Sequence, residues 1–172
     1  MHDADQRSLK VFDIRCKQAV SEAPSGAKSW TKRRRPTKYN EHNSWIVNTT
    51  FTSHGGYGGQ VVTGSVAGDI KIWDLRMSTS QRTLEVQRST MTALAVHKRI
   101  PVVATGSHAQ FIKILTLDGE TLRVIRYHEG MSNHRIGPVS CLEFHPYKPL
   151  LVAGATDTFV SIYSTQGRGW LR

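Results

Sequence analysis

A glycine-led pattern recurs along this chain and constrains its fold more than any other feature. Each copy has a glycine with a small residue after it, a short polar turn, and a run with apolar residues at alternate positions. The three copies span Gly64–Leu75, Thr105–Leu115 and Ala153–Tyr163. A period of two is typical of strands, whereas a helix would place apolar residues three and four positions apart. The pattern therefore predicts an all-β chain built from similar units.

The spacing between the copies indicates what kind of unit repeats. From Gly64 to Gly106 there are 42 residues, and from Gly106 to Gly154 there are 48. A blade of a WD-repeat β-propeller takes about 40–45 residues and contains four strands. The sequence therefore predicts consecutive propeller blades.

A shorter copy lies near the start of the sequence. Leu9–Arg15 parallels Ile70–Arg76. Phe12 takes the position of Trp73 in this alignment. With the three fuller copies this gives about three and a half blades, whereas a closed ring typically needs about four to eight. We expect a partial WD-repeat β-propeller from a ring of about seven blades, with the rest supplied by a longer chain.

The chain divides into three predicted segments. Residues 1–15 are expected to form the end of a truncated blade. Residues 16–41 are expected to be a basic, flexible loop insertion, because this stretch lengthens the step between copies and holds Ser, Pro and Gly. Residues 42–172 are expected to form three consecutive blades, the last lacking its outer strand.

The net charge of +10 is concentrated in the predicted insertion. Residues 15–38 hold eight Lys or Arg and one Glu, and therefore +7 of the total. The run Lys32, Arg33, Arg34 and Arg35 is a candidate contact for an anionic surface or a nuclear localisation signal, and the alternative is a solvated loop. No aromatic stacking platform accompanies the basic residues, so the sequence does not favour nucleic acid as a partner.

Several residues are candidates for structural repeat positions. His42 and His134 each lie five residues before an inner strand residue. In WD repeats such a histidine can hydrogen-bond an aspartate in the turn between the second and third strands, where Asp157 lies in the last blade. His134 and Asp157 are therefore a predicted pair, while Ala67 and Ala109 occupy that turn position in the earlier blades.

The WD position itself gives further candidates. The structural repeat positions at the end of the third strand are Phe12, Trp73 with Asp74, and Tyr163. No Gly-x-Ser-x-Gly, Cys-x-x-Cys, His-Glu-x-x-His or Walker motif occurs in the sequence. We therefore predict no catalytic, cofactor-binding or metal-binding residue, and the chain is expected not to be an enzyme.

The composition also bears on location. The sequence has two cysteines, too few for a disulfide scaffold, which favours a reducing compartment. Its first residues are polar and acidic, and no apolar run approaches the roughly 20 residues that span a bilayer. We expect a cytoplasmic protein without membrane insertion.

The second half of the chain carries a more specific resemblance. The segments Met91–His97, Ile125–His128, Ile136–Tyr147 and Ala153–Tyr163 resemble the C-terminal WD-repeat propeller of the Raptor family, the last of them most closely in members from green plants. The resemblance covers roughly residues 40–165. The predicted insertion departs from the pattern of that family.

This resemblance implies a function. Raptor proteins are regulatory subunits of the target-of-rapamycin kinase complex, so the chain is expected to be a non-enzymatic scaffold fragment in nutrient and growth signalling. Its expected partners are that kinase complex and its regulators or substrates, which could also hold it at the periphery of endomembranes. The alternative is a generic WD-repeat adaptor, such as a substrate receptor of a ubiquitin ligase or a chromatin-associated protein.

Overall fold

A computed structural model describes residues 9–11, 37–39, 41–52, 60–77, 79–128 and 134–164. All regular secondary structure within these ranges is β-strand, which confirms the all-β prediction. In chain order the strands are β1 (Leu9–Val11), β2 (Thr37–Tyr39), β3 (Ile46–Thr52), β4 (Gln60–Ser65), β5 (Asp69–Asp74), β6 (Ser80–Glu85), β7 (Met91–Val96), β8 (Val102–Ser107), β9 (Phe111–Thr116), β10 (Thr121–Ile125), β11 (Val139–Phe144), β12 (Leu150–Ala155) and β13 (Val160–Ser164).

The strands form four antiparallel sheets, and within each sheet every strand pairs with its neighbour in sequence. β1 and β2 form a two-stranded sheet, β3 to β6 and β7 to β10 form four-stranded sheets, and β11 to β13 form a three-stranded sheet. This meander with short connections is the arrangement of propeller blades. We call the last three sheets the first, second and third blades.

The two-stranded sheet corrects one boundary of the predicted insertion. Residues 37–39 were expected to belong to a loop, but they form β2 and pair with β1, so that Tyr39 lies opposite Leu9. Both side chains are buried and pack against Trp73 of the first blade. Burial of Leu9 and Tyr39 stabilises β2. The sequence did not predict this strand because the residues around it are highly charged. Of the predicted insertion, residues 16–36 and 40 lie outside the described residues.

The core lies between the blades, because each sheet packs its faces against its neighbours. In the second blade, Leu94 and Leu115 pack against the first blade, whereas Ala93 and Ile114 pack against the third. Successive side chains on a strand point to opposite faces, so an inner strand must be apolar on both. The contact between the second and third blades brings together Ala93, Ala95, Ala104, Ile112, Ile114, Ile125, Ile136, Val139, Leu142, Phe144, Leu151, Ala153 and Tyr163.

The third blade presents one face to solvent. Val152, Val160 and Ile162 are 36%, 71% and 69% exposed. Val152 lies opposite Ile162 in the sheet, so the two share a face. The neighbouring position Tyr163 points the other way and is 4% exposed, packed into the contact with the second blade. The third blade therefore buries one apolar face and leaves a second one open.

The turn between β4 and β5 depends on a glycine. Gly68 has a φ of +93°, and a Cβ atom there would lie 2.0 Å from the backbone oxygen of Gln87. Its own carbonyl oxygen accepts hydrogen bonds from the backbone N–H groups of Val86 and Gln87 at 3.0 and 3.3 Å. The turn thereby holds the connection between the first and second blades.

We expect Gly68→Ala to destabilise the protein more than Gly119→Ala. Gly119 has a similar φ of +97°, but a Cβ atom there would lie 3.1 Å from a methyl group of Leu84, a side chain that can move. The backbone conformation alone should cost about 1 kcal/mol at Gly119, whereas the added clash with backbone should raise the cost at Gly68 above about 3 kcal/mol. Urea denaturation of both variants measures the difference, and equal losses would contradict the role given to the close approach.

Candidate functional site

A buried polar network joins three parts of the first blade. The indole Nε1 of Trp73 donates to the hydroxyl oxygen of Thr63 at 2.8 Å. The same oxygen lies 2.6 Å from Nε2 of His42. On the other side of the ring, Nδ1 of His42 lies 2.7 Å from Oδ2 of Asp69, whose second oxygen accepts a hydrogen bond from Ser65. The network thus connects β4, β5 and the segment that precedes β3.

The network has the residue types of a catalytic triad but not the access that catalysis needs. Trp73 and Thr63 are 0% exposed, and His42 is 4% exposed. The hydroxyl of Thr63, which would have to act as the nucleophile, is already engaged by both Trp73 and His42. A nucleophile must lie where a substrate carbonyl can approach it. The arrangement therefore stabilises the blade and does not form a reactive site.

The sequence identified His42 and Trp73 as structural positions but missed Asp69. The aspartate was sought at the turn position of Ala67. In the structure the partner of His42 is Asp69, two residues later at the start of β5. The left-handed conformation of Gly68 turns the chain just before this residue. The Gly68-Asp69 pair directly before an alternating strand was the sequence signal that could have identified Asp69.

Asp69 is ionised in the folded protein. Burial raises the pKa of this carboxyl, but hydrogen bonds from His42 and Ser65 outweigh the burial and lower the pKa to about 2, against an ordinary value of 3.8. A carboxylate with a lowered pKa stabilises the folded state above its unfolded pKa, and this contribution is lost as the pH falls through the folded value. The network is therefore sensitive to acid between about pH 4 and pH 2.

We expect Asp69→Asn to lower the free energy of unfolding by about 2 kcal/mol above about pH 4, because the amide carries no charge to pair with His42. The difference from the wild-type protein should shrink as the pH falls toward about 2. Urea denaturation at a series of pH values measures it. Asp118→Asn is the matched control, since Asp118 is a surface carboxylate with an 81% exposed side chain. A difference that stays constant over this pH range would contradict the assignment.

The second blade does not repeat this network. Thr105 occupies the place of Thr63, but its hydroxyl donates to the side-chain oxygen of Gln87 at 3.2 Å. Leu115 occupies the place of Trp73 and packs against the first blade. The second blade therefore keeps a buried side chain at this place but has no histidine–aspartate pair. The network is a feature of the first blade and not of the fold.

Asp157 in the third blade contacts a different histidine from the one predicted. Its Oδ2 atom accepts from the backbone N–H of Gly137 at 2.7 Å and lies 3.7 Å from Nε2 of His128. Nδ1 of His128 lies 3.1 Å from the hydroxyl of Ser161. The structure thus adds His128 as a neighbour of Asp157, while the pairing of Asp157 with His134 stays a prediction. His134 has an exposed side chain, and its backbone oxygen accepts from the N–H of His128 at 3.0 Å.

The sequence missed His128 because the prediction counted back from the strand. His134 lies five residues before Val139, as His42 does before Val47. The backbone, however, doubles back through an antiparallel bridge between Tyr127 and Arg135. This bridge brings the earlier histidine to the turn of the third blade, a long-range effect that spacing along the chain does not contain.

Asp157 also has a lowered pKa. Burial raises the pKa of this carboxyl, but the backbone N–H groups of Phe159 and Gly137 and the nearby His128 together lower it. The carboxylate is thereby held between the β10–β11 connection and the turn before β13. Its contacts are those of a structural tie.

We expect His128→Ala to be more destabilising than His134→Ala. The first change removes the hydrogen bond to Ser161 and the contact with Asp157, and should cost about 1–2 kcal/mol. The second removes a side chain that is exposed, where solvent weakens polar contacts, and should therefore cost less. Thermal unfolding of the two alanine variants, which delete the same atoms, compares them. A larger loss of stability for the His134 variant would instead support the pairing of Asp157 with His134 predicted from the sequence.

The remaining sequence candidates have simpler environments or lie outside the described residues. Asp74 forms an exposed ion pair with Arg76 at 2.6 Å, and hydrogen bonds from Arg76 lower the pKa of Asp74 to about 2. Tyr163 is buried at the position of Trp73. Phe12 and the run of residues 32–35 fall outside the described part of the chain.

A polar cavity of about 770 Å³ lies beside the first-blade network. Lys71 reaches into it and donates from Nζ to the hydroxyl of Thr83 at 2.9 Å. Glu41 lines it as well and accepts hydrogen bonds from the backbone N–H and the hydroxyl of Ser80 at 3.0 and 2.5 Å. Glu85 and Arg88 complete the charged lining, which mixes both signs. The cavity thus has no single charge preference for a ligand.

The described residues contain neither a cluster of metal-binding side chains nor a helix that could span a membrane. No group of three or more His, Cys, Asp or Glu side chains is placed so that it could hold a metal ion. Within the same residues, no helix is long and apolar enough to cross a membrane.

Comparison with known proteins identifies the family. The model "WD domain, G-beta repeat" matches residues 34–74 and 121–164. The chain is 50% identical over 106 residues to "Regulatory-associated protein of TOR 1" of Arabidopsis thaliana, which is 61% of this chain and 8% of that protein. It is 43% identical over 138 residues to "Protein raptor homolog" of Dictyostelium discoideum, which is 77% of this chain and 9% of that protein.

The chain belongs to the Raptor family of WD-repeat proteins. The crystal structure of Raptor from Chaetomium thermophilum superposes with a TM-score of 0.70 at 22% identity, covering 92% of this chain and 14% of that one. This likeness supports the partial Raptor propeller fold described above. The chain spans about a tenth of the length of the Raptor relatives it matches.

Proposed function

We propose that this chain is a non-enzymatic scaffold segment of the target-of-rapamycin kinase complex, acting as a protein-interaction platform in nutrient and growth signalling in the cytoplasm. The observation that carries the proposal is the 50% identity to a protein named as regulatory-associated protein of TOR. This identity extends over 106 residues, which is 61% of the chain.

The geometry supports a platform and gives no support to catalysis. The histidines of the two polar networks bind groups of the protein itself, and the one of the first blade is buried. Rigid sheets hold the connecting turns at fixed positions, and such turns can differ between blades without changing the fold. Partners that bind these turns would therefore meet variable side chains at fixed positions.

The open face of the third blade supports the proposal that further blades come from a longer chain. Val152, Val160 and Ile162 form an apolar surface on the side away from the second blade. The same kind of alternating apolar face is covered by a neighbouring blade in the two preceding contacts. A further blade that packs on this surface would remove it from water and continue the ring toward about seven blades.

The proposal predicts that the tagged 172-residue chain, expressed in plant cells, recovers the target-of-rapamycin kinase on affinity purification. Ile162→Arg should reduce the recovery at least about fivefold, because a charge on the open face would oppose its packing against further blades, which a longer chain of the plant cell would supply. Val124→Arg is the matched control, since Val124 is also exposed on a strand but lies on β10 of the second blade. Immunoblotting of the kinase measures both.

The outcomes separate the two candidate functions. Recovery of a ubiquitin-ligase scaffold or of chromatin proteins, without the kinase, would support the generic adaptor. Equal recovery of the kinase by both variants would uphold membership of the complex and contradict the role given to the open face.

A further inference from the structure

Two neighbouring turns on one end of the blades carry a concentration of positive charge. The first, His97–Pro101, connects β7 to β8, and the second, His145–Pro149, connects β11 to β12. They hold three cationic residues and no Asp or Glu. We define the basic platform as the exposed residues of these turns that carry charge or an aromatic ring: Lys98, Arg99, Tyr147 and Lys148.

Each turn is fixed by the histidine that begins it. Nδ1 of His97 accepts hydrogen bonds from the backbone N–H groups of Arg99 and Ile100, both at 3.0 Å. Nδ1 of His145 accepts from those of Tyr147 and Lys148 at 3.1 and 3.0 Å. The backbone of the platform is therefore held in place by the protein itself.

The two turns are also tied to each other. His97 is 1% exposed, and its Nε2 atom lies 3.2 Å from the backbone oxygen of Lys148, to which it donates because Nδ1 is an acceptor. Across the surface, the guanidinium carbon of Arg99 lies 4.6 Å from the centre of the Tyr147 ring. This cation–π contact orients the guanidinium while its N–H groups remain able to bind a second partner.

Arg99 and Lys148 differ from two other exposed cations of the described residues. Arg76 and Arg82 are neutralised by Asp74 and Asp118 at 2.6 and 2.5 Å. The cavity of the first blade mixes both signs. A turn pair with cations and an exposed aromatic ring, on a fixed backbone, loses little conformational entropy when it binds an acidic group.

From these contacts we infer that the basic platform binds a short acidic segment of a protein partner. Carboxylates of the segment pair with Arg99 and Lys148, and an apolar residue beside them packs on the Tyr147 ring, which is 67% exposed. This inference rests on the proposed role as an interaction platform and adds the chemistry of one partner.

The number of cations favours a peptide over larger anions. Anionic membranes are bound by clusters of roughly four to eight Lys or Arg. Nucleic-acid binding commonly neutralises about six to ten phosphates. Arg99 and Lys148 provide two cations, which match a few carboxylates in an extended chain. The fixed spacing between the turns then selects among acidic segments.

The test is a binding titration of the full 172-residue chain against a fluorescein-labelled peptide of about ten Asp and Glu residues around a central Leu, followed by anisotropy. The expected result is saturable binding that weakens when the salt rises from about 0.05 M to about 0.3 M. Arg99→Glu should weaken the binding at least about tenfold, and Lys148→Glu, which leaves the cation–π contact intact, at least about threefold.

Arg88→Glu is the matched control. It makes the same replacement at another exposed position, in the connection between β6 and β7, and changes the net charge equally. Its affinity should stay within about twofold of the wild-type protein. Equal weakening by Arg88→Glu and Arg99→Glu would mean that only overall charge matters, and the inference would be overturned.

Two further results would also overturn it. One is loss of peptide binding when residues 32–35 are all changed to alanine while Arg99→Glu binds normally, which would place the acidic segment on the basic run. The other is Arg99-dependent binding to phosphatidylcholine vesicles with about 20% phosphatidylserine and none to the peptide, which would make the platform a membrane contact. The assay contains no kinase, so its failure would leave the purification test of the proposed function unaffected.

Discussion

Face-to-face packing of the sheets is the constraint on which this structure depends. A strand places alternate side chains on opposite faces, so a blade between two neighbours needs apolar residues on both faces. The second blade meets this requirement with two sets: Leu94 and Leu115 toward the first blade, Ala93 and Ile114 toward the third. Because the packing is between sheets, exposed turn side chains such as Arg99 contribute little to it and can vary in sequence.

The polar networks refine this packing and do not replace it. The first blade buries Trp73 with a chain of hydrogen bonds through Thr63 and His42 to Asp69. The second blade has Leu115 at the equivalent place and still packs between its neighbours. Since the packing survives without the network, we regard the network as a local tie that fixes one turn. The same argument applies to Asp157 and His128 in the third blade.

The turn histidines give the proposed binding surface its fixed backbone. The Nδ1 atoms of His97 and His145 accept hydrogen bonds from backbone N–H groups of their own turns. This use explains why histidine follows both of these inner strands. The fixed turns then carry side chains that the packing does not need, and Arg99 and Tyr147 are of this kind. A scaffold of this design can acquire partners by changes at exposed turn residues alone.

The sequence by itself determined the blades and their number, because alternation, turn glycines and spacing are local and repeat along the chain. It also located Trp73, His42 and Asp157. It could not assign the histidine of Asp157, the aspartate of His42, or β2 at Thr37–Tyr39. These depend on contacts between segments far apart in sequence. Only the tertiary structure decided them, because the hydrogen-bond partner of a buried group is set by distance in space.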